Sequence, residues 1–273
     1  MPDPAIETRG LTKRFGSITA VDRLDLAVHR GEVFGFLGPN GAGKTTTIRL
    51  LLGFINPTAG SSLVFGRPGA DPTARRRIGY LPADLALEPR YTTTDLIEFF
   101  GSLRNGYDRP FTAALLERFA LDPSRPIGEL STGNRRKVGI VQAFMHRPDL
   151  FILDEPTSGL DPLLQQEFHR LVREEVARGA TVFLSSHVLP EVEALASRVG
   201  ILRRGRLVAV AAVEELRRKA RQRIDIYTAG PPPRGIFERL PGVHAVSYHD
   251  GGVHLVVEGS VDAVIKAAAG LTV

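Results

Sequence analysis

The sequence predicts an α/β fold, with a parallel core sheet and a small α+β unit behind it, on three observations. Short apolar runs at residues 33–37, 150–153 and 181–185 suit strands covered on both faces, as in a parallel sheet. Segments with helical spacing alternate with these runs through the first three-quarters of the chain. The first run also feeds a glycine-rich loop that opens a helix, a strand-loop-helix order that sets the loop at the carboxyl edge of such a sheet.

The elements follow in order. Residues 44–52 form the helix after the loop, residues 95–104 and 111–119 a middle helical block, and residues 134–146 a helix with apolar positions at 138, 141 and 145. Asp161 N-caps a helix that runs to about Ala177, with Pro162 in its first position. Residues 201–210 read as a hairpin turning at Arg204-Gly205, and residues 213–221 as a basic helix. A second unit is expected from Gln222 onward, dividing the chain into 1–221 and 222–273. There Ile224-Asp225-Ile226-Tyr227 alternates as a strand, and Pro231-Pro232-Pro233 leads stiffly into a helix. Residues 243–257 form a hairpin turning at Asp250-Gly251-Gly252, and residues 261–269 a last helix.

Composition sets outer limits. With 273 residues, 43% hydrophobic and 24% charged, the chain can bury one large core and a small one. There is no cysteine, so disulfides, thiolate metal sites and a cysteine nucleophile are excluded. The N-terminal MPDPAIETRG lacks the pattern of a signal peptide, and no run approaches the roughly 20 apolar residues of a membrane-spanning helix. The expectation is a chain that does not cross a bilayer. A formal charge of +5 permits an anionic partner without requiring one, and the arginines at 75–77 and between 203 and 223 read as solvated surface.

The loop itself carries chemistry. Gly38-Pro39-Asn40-Gly41-Ala42-Gly43-Lys44-Thr45-Thr46 satisfies G-x-x-x-x-G-K-[ST] between a strand and a helix. Its glycines let successive N–H groups point at phosphate oxygens, and the helix N-terminus adds partial positive charge. Lys44 would reach the β- and γ-phosphates, and the Thr45 hydroxyl would bind Mg²⁺. A merely flexible turn would not need this spacing. The second anchor is Asp154-Glu155, two acids at the carboxyl end of an apolar strand. Asp154 would hold the Mg²⁺ and Glu155 would act on the attacking water as general base. One acid after a strand is often a helix cap, but two acids downstream of such a loop point to catalysis.

The loop, then Leu130-Ser131-Thr132-Gly133-Asn134, then LDEPTSGLDP at 153–162, then Ser185-Ser186-His187 resemble the ATP-binding cassette (ABC) ATPases over roughly residues 5–215. GYLPADLALEPRYTTTDLIEFF and the C-terminal unit look most like the ATP-binding subunits of bacterial drug exporters of the daunorubicin-resistance type. The resemblance implies a P-loop NTPase domain with an N-terminal antiparallel β subdomain and a helical subdomain at about residues 84–148. It also implies roles for single residues. Phe15 would stack on adenine, Ser131, Gly133 and Asn134 would form the signature that meets a second copy's nucleotide, and His187 would contact the γ-phosphate. Ser158 to Asp161 would touch the partner copy. Lys44, Glu155 and His187 would then carry ATP hydrolysis, with ATP and Mg²⁺ held at Gly38 to Thr46, Thr45 and Asp154.

In that family ATP is sandwiched between the loop of one subunit and the signature of another. The resemblance therefore implies a head-to-tail pair with a second copy and a separate transmembrane permease. The pair would sit peripherally on the cytoplasmic face of the membrane and drive export, with no direct nucleic-acid contact expected. A soluble relative acting on nucleic acid or ribosomes is the alternative, and such relatives typically carry two cassettes or long coiled coils, which this sequence lacks. An ATP sensor without turnover is a third reading, against which Glu155 and His187 stand. Two positions depart from the pattern. Ala83, followed by Asp84, stands where the family usually has a metal-contacting Gln, and Asn134 stands where Gln is commoner. Asp84 is one candidate substitute and a water filling the gap is another, and the loop's coupling role could persist through its shape alone.

Overall fold

The computed structural model describes residues 3–271 other than 105, 220, 229, 231, 232 and 250. Strands β1 (Ile6–Phe15) and β2 (Ile18–Val28) are antiparallel, and β1 pairs on its other side with β4 (Ala59–Val64), which continues to β5 (Arg67–Pro68). One face of this sheet is apolar, with Ile6, Leu11, Val21, Leu24, Leu26 and Val28 buried. It is the antiparallel subdomain that the resemblance implies.

The second sheet has the order β10-β9-β3-β8-β7-β6. Its strands are β3 (Val33–Leu37), β6 (Ile78–Leu81), β7 (Leu150–Asp154), β8 (Thr181–Ser186), β9 (Arg198–Arg203) and β10 (Arg206–Ala212). Pairs β3–β8, β3–β9, β6–β7 and β7–β8 are parallel. Every residue of β7 and β8 is buried, which is why each carries a continuous apolar stretch, Leu150 to Leu153 and Val182 to Leu184, with no polar alternation. Phe34 and Phe183 stack across neighbouring strands with centroids 6.0 Å apart, and Phe144 packs on Phe151 at 4.1 Å. β9 turns into β10 at Arg204-Gly205, both with positive φ (49° and 78°), the backbone of a two-residue hairpin turn.

Helices α1 (Lys44–Leu51), α2 (Pro72–Arg75), α3 (Thr93–Leu103), α4 (Arg109–Arg118), α5 (Thr132–Phe144), α6 (Pro162–Ala177) and α7 (Leu189–Glu193) complete this unit. Local capping fixes their starts. Thr92 and Asp95 form a reciprocal capping box, Asp108 caps α4, and Ser131 caps α5 through the Asn134 N–H at 3.2 Å. Asp161 accepts from the N–H groups of Leu163 and Leu164, each at 3.0 Å, with Pro162 in the first position as expected.

The chain divides into two units at Val210/Ala211. The second unit holds α8 (Val213–Lys219), strands β11 (Arg221–Tyr227), β12 (Val243–His249) and β13 (Gly252–Glu258) in the antiparallel order β11-β13-β12, and α9 (Asp262–Ala268). Ile226, Phe237, Val253, Leu255, Val257 and Val264 are its buried core.

Three expectations are corrected. The division by contacts lies eleven residues before the expected 221/222, because a helix as short as α8 has little stability of its own and needs tertiary packing. The Arg218 carbonyl of α8 comes close to Gly259 just after β13. That helix ends at Lys219, and Arg221 already belongs to β11. The helix expected after the prolines is absent, since residues 234–240 run through turns, with Phe237 buried as the apolar anchor. Pro231, Pro232 and Asp250 lie outside the described residues.

Candidate active site

Three strand ends meet at one level of the parallel sheet. Leu37 pairs in register with Ser186, and Asp154 pairs with Ser185. The loop leaving β3, the acids ending β7 and the Ser-Ser-His ending β8 therefore emerge side by side, at the edge where parallel α/β sheets bind ligands. The Gly38 N–H donates to the Ser186 carbonyl at 3.2 Å, which fastens the start of the loop to β8.

Gly43 allows the loop to enter α1. Its φ is +108°, and a Cβ there would stand 2.4 Å from the Ala20 carbonyl oxygen. No side chain caps α1, and its first turn holds no acidic residue. Its N–H groups and positive dipole end remain available to an anion. Lys44 is 6% exposed and donates from Nζ to the Gly38 carbonyl at 2.6 Å, while the same nitrogen lies 3.3 Å from Glu155 Oε1.

Asp154 is fully buried, and each of its oxygens receives a hydroxyl. Thr45 donates to Oδ2 at 2.8 Å and Ser185 donates to Oδ1. Such a pairing offsets the cost of burying a carboxylate. Hydroxyl and carboxylate together also make a hard, all-oxygen donor pair of the type that holds Mg²⁺ beside phosphates. Glu155 has φ +49°, an uncommon backbone for a non-glycine residue. Its N–H donates to the Ser185 carbonyl at 3.1 Å, and its Oε2 lies 2.9 Å from His187 Nδ1. Lys44, Thr45, Asp154, Glu155, Ser185 and His187 thus form one connected cluster.

Arg136, on α5, is 5% exposed, and its hydrogen bonds among the described residues go to carbonyl oxygens. Nε reaches Pro156 at 3.2 Å, Nη1 reaches Pro82 at 2.5 Å and Ala83 at 3.2 Å, and Nη2 reaches Asp154 at 2.9 Å and Glu155 at 2.5 Å. Burial lowers this guanidinium to about 10, against the pull of Asp154, Glu155, Asp84 and Tyr80, so it stays charged at neutral pH.

The remaining expected residues lie apart. No hydrogen bond or ion pair among the described residues joins Phe15, Ser131, Gly133 or Asn134 to the cluster. Phe15 ends β1 half exposed, with Lys13 Nζ 5.0 Å from its ring centre. Ser131 is exposed at the start of α5, and a Cβ on Gly133 would lie 3.3 Å from the Gly159 carbonyl oxygen. Pro39, Asn40 and Gly41 are exposed, Ala42 is buried and Thr46 is half-buried. Asp84 acts electrostatically on Arg136.

Arg136 and Ser185 are the residues that sequence reasoning missed. The available signals are that Arg136 stands four and seven positions before the buried Ile140 and Ala143, and that Ser185 directly follows the apolar run Val182-Phe183-Leu184 within its strand.

A backbone loop wrapped over a helix N-terminus, with a lysine inside it and a hydroxyl-bonded aspartate beside it, is the arrangement of the P-loop nucleotide-binding proteins. Comparison with known proteins narrows that class. Residues 21–158 match the family model described as ABC transporter. The chain is 39% identical over 224 residues to the daunorubicin/doxorubicin resistance ATP-binding protein DrrA of Streptomyces peucetius, covering 79% of this chain and 68% of that protein. It is 36% identical over 222 residues to the probable multidrug ABC transporter ATP-binding protein YbhF of Escherichia coli, covering 79% of this chain but only 38% of that longer relative. A solved ATP-binding subunit of an ABC transporter superposes with TM-score 0.73 at 31% identity, over 78% of this chain and 92% of that one. This chain belongs to the ABC transporter family as an ATP-binding subunit, a class of ATP hydrolases.

Proposed function

We propose that this chain binds and hydrolyses ATP in a head-to-tail pair with a second copy, and that the pair drives export through a separate membrane-spanning partner at the cytoplasmic face of the membrane. The observation that carries this reading is the Lys44–Glu155–His187 chain of contacts beside Asp154 and Thr45.

With ATP bound, the Lys44 ammonium moves from the Gly38 carbonyl to the β- and γ-phosphates, which the loop and α1 N–H groups cradle. Thr45 and Asp154 would hold Mg²⁺, which would supply positive charge beside the phosphates. Glu155 takes a proton from water as the water oxygen attacks the γ-phosphorus, and the bond to the β-bridging oxygen breaks to leave ADP and phosphate. His187, held through Nδ1 by Glu155, presents Nε2 to the γ-phosphate.

What supports a second copy is that one chain carries two phosphate-suited helix starts, at Gly43 and at Ser131, and that no hydrogen bond or ion pair among the described residues joins Ser131 to the Lys44 cluster. Among the described residues no helix is long and apolar enough to cross a membrane. The passage is assigned to a separate partner because DrrA and YbhF are both named as ATP-binding proteins. An apolar groove of about 710 Å³, lined by Phe54, Tyr80, Leu85, Leu87, Phe100 and Leu103, suits a short amphipathic segment of that partner. The names of DrrA and YbhF favour export of a drug-like molecule over action on nucleic acid.

Replacing Glu155 by Gln tests the reading. ATP turnover should fall on the order of 100-fold or more. With ATP and Mg²⁺, the variant's mass in light scattering should double. A variant that turns over like the parent, or stays monomeric at high concentration, sinks it.

A further inference from the structure

We propose that Arg136 is a positioning residue for ATP hydrolysis, clasping the main chain that carries Glu155 and tying it to the loop at residues 82–83. This rests on the reading of Glu155 as the base.

A guanidinium has five N–H donors in a rigid fork, and here its five hydrogen bonds among the described residues end on main-chain carbonyls from two segments, 82–83 and 154–156. The Glu155 peptide is gripped on both sides. Its N–H is taken by the Ser185 carbonyl and its C=O by Arg136 Nη2 at 2.5 Å. That grip holds the residue at φ +49°, a backbone that must be over-determined by its surroundings to persist.

The other arm of the fork ends on Pro82 and Ala83, just beyond β6, and Ala83 has no side chain that can reach a metal. Movement of this loop reaches the base through peptide oxygens and one shared cation, with Asp84 adding electrostatic hold on the same cation. The residues around it, Leu85, Leu87 and Tyr80, line the apolar groove, so the clasp lies between that groove and the catalytic carboxylate.

The experiment compares parent, Arg136→Gln, Arg136→Lys and Arg136→Ala for fluorescent-ATP affinity, kcat, KM and thermal midpoint. The P-loop contacts are untouched, so Kd should stay within about threefold of the parent while kcat falls about 100-fold, the size expected for a misplaced reacting group. Lysine should not restore kcat, because a point charge cannot reach both segments. Methylguanidinium added to Arg136→Ala should recover about tenfold of the lost kcat, which general loosening of the fold would not show. Any folded variant with kcat within about threefold of the parent overturns the proposal. So does a parallel loss of affinity, kcat and thermal midpoint without rescue. If Gln and Ala do not fold, the Lys variant decides by the same kcat and Kd criteria. A parent without ATP turnover defeats the functional reading itself, whereas an active parent with equally active Arg136 variants defeats this inference alone.

Discussion

At residue scale, the loop separates two kinds of glycine. Gly41 has φ +76° with open space around its Cα, so alanine there carries only backbone strain, about 1–2 kcal/mol. Gly43 has φ +108° and the Ala20 carbonyl oxygen where a Cβ would go, so alanine must push main chain apart at the start of α1. Gly41→Ala should weaken ATP binding by about tenfold, and Gly43→Ala by about 100-fold or more, measured by equilibrium titration with the thermal midpoint as control. Equal effects would show that space plays no part. The placement of Lys44, Thr45, Asp154 and Glu155 is legible in the sequence because their motifs sit at the ends of apolar runs that become neighbouring strands. Arg136 is not, since a charged residue in a helix ordinarily faces water and only the packing of α5 shows that this one does not.

At element scale, α5 ends in a titrating group. His146 follows the helix, its Nε2 lies 3.2 Å from the Ile78 carbonyl, and its Nδ1 is buried without a hydrogen-bond partner among the described residues. Burial, helped by Arg104, lowers the ring from its usual 6.5 to about 4. The folded form therefore resists a proton that the unfolded chain accepts. Its contribution is present above about pH 6.5 and is lost as pH falls towards 4. Urea unfolding should show a loss on the order of 2 kcal/mol from this group between pH 7 and pH 5. Replacing His146 by Gln, which keeps a donor for Ile78, should remove that slope, and an unchanged slope would acquit the ring.

At the scale of the molecule, two cores predict two stabilities. Leu255 is fully buried in the second unit's core, and truncation to alanine should cost about 2–5 kcal/mol there. Calorimetry of Leu255→Ala should lower one transition and leave the nucleotide-stabilised one in place. A single shifted transition would show that the units unfold together. The two-unit plan is legible because alternating and continuous apolar runs differ in period, and β11, β12 and β13 fall where alternation and the hairpin turn put them. The boundary is less legible, since α8 is assigned by what it packs on and not by its own sequence. Residues 234–240 fail as a helix for the same reason, with Phe237 buried and Ile236 and Leu240 packed beside it from a run of turns.

A cation that reads only peptide oxygens is indifferent to which amino acids supply them. Positions 82, 83 and 156 are free of any demand from this fork and can drift one substitution at a time, alanine at 83 included. Position 136 has no such latitude, for none of the other nineteen side chains offers a flat, permanently charged fork.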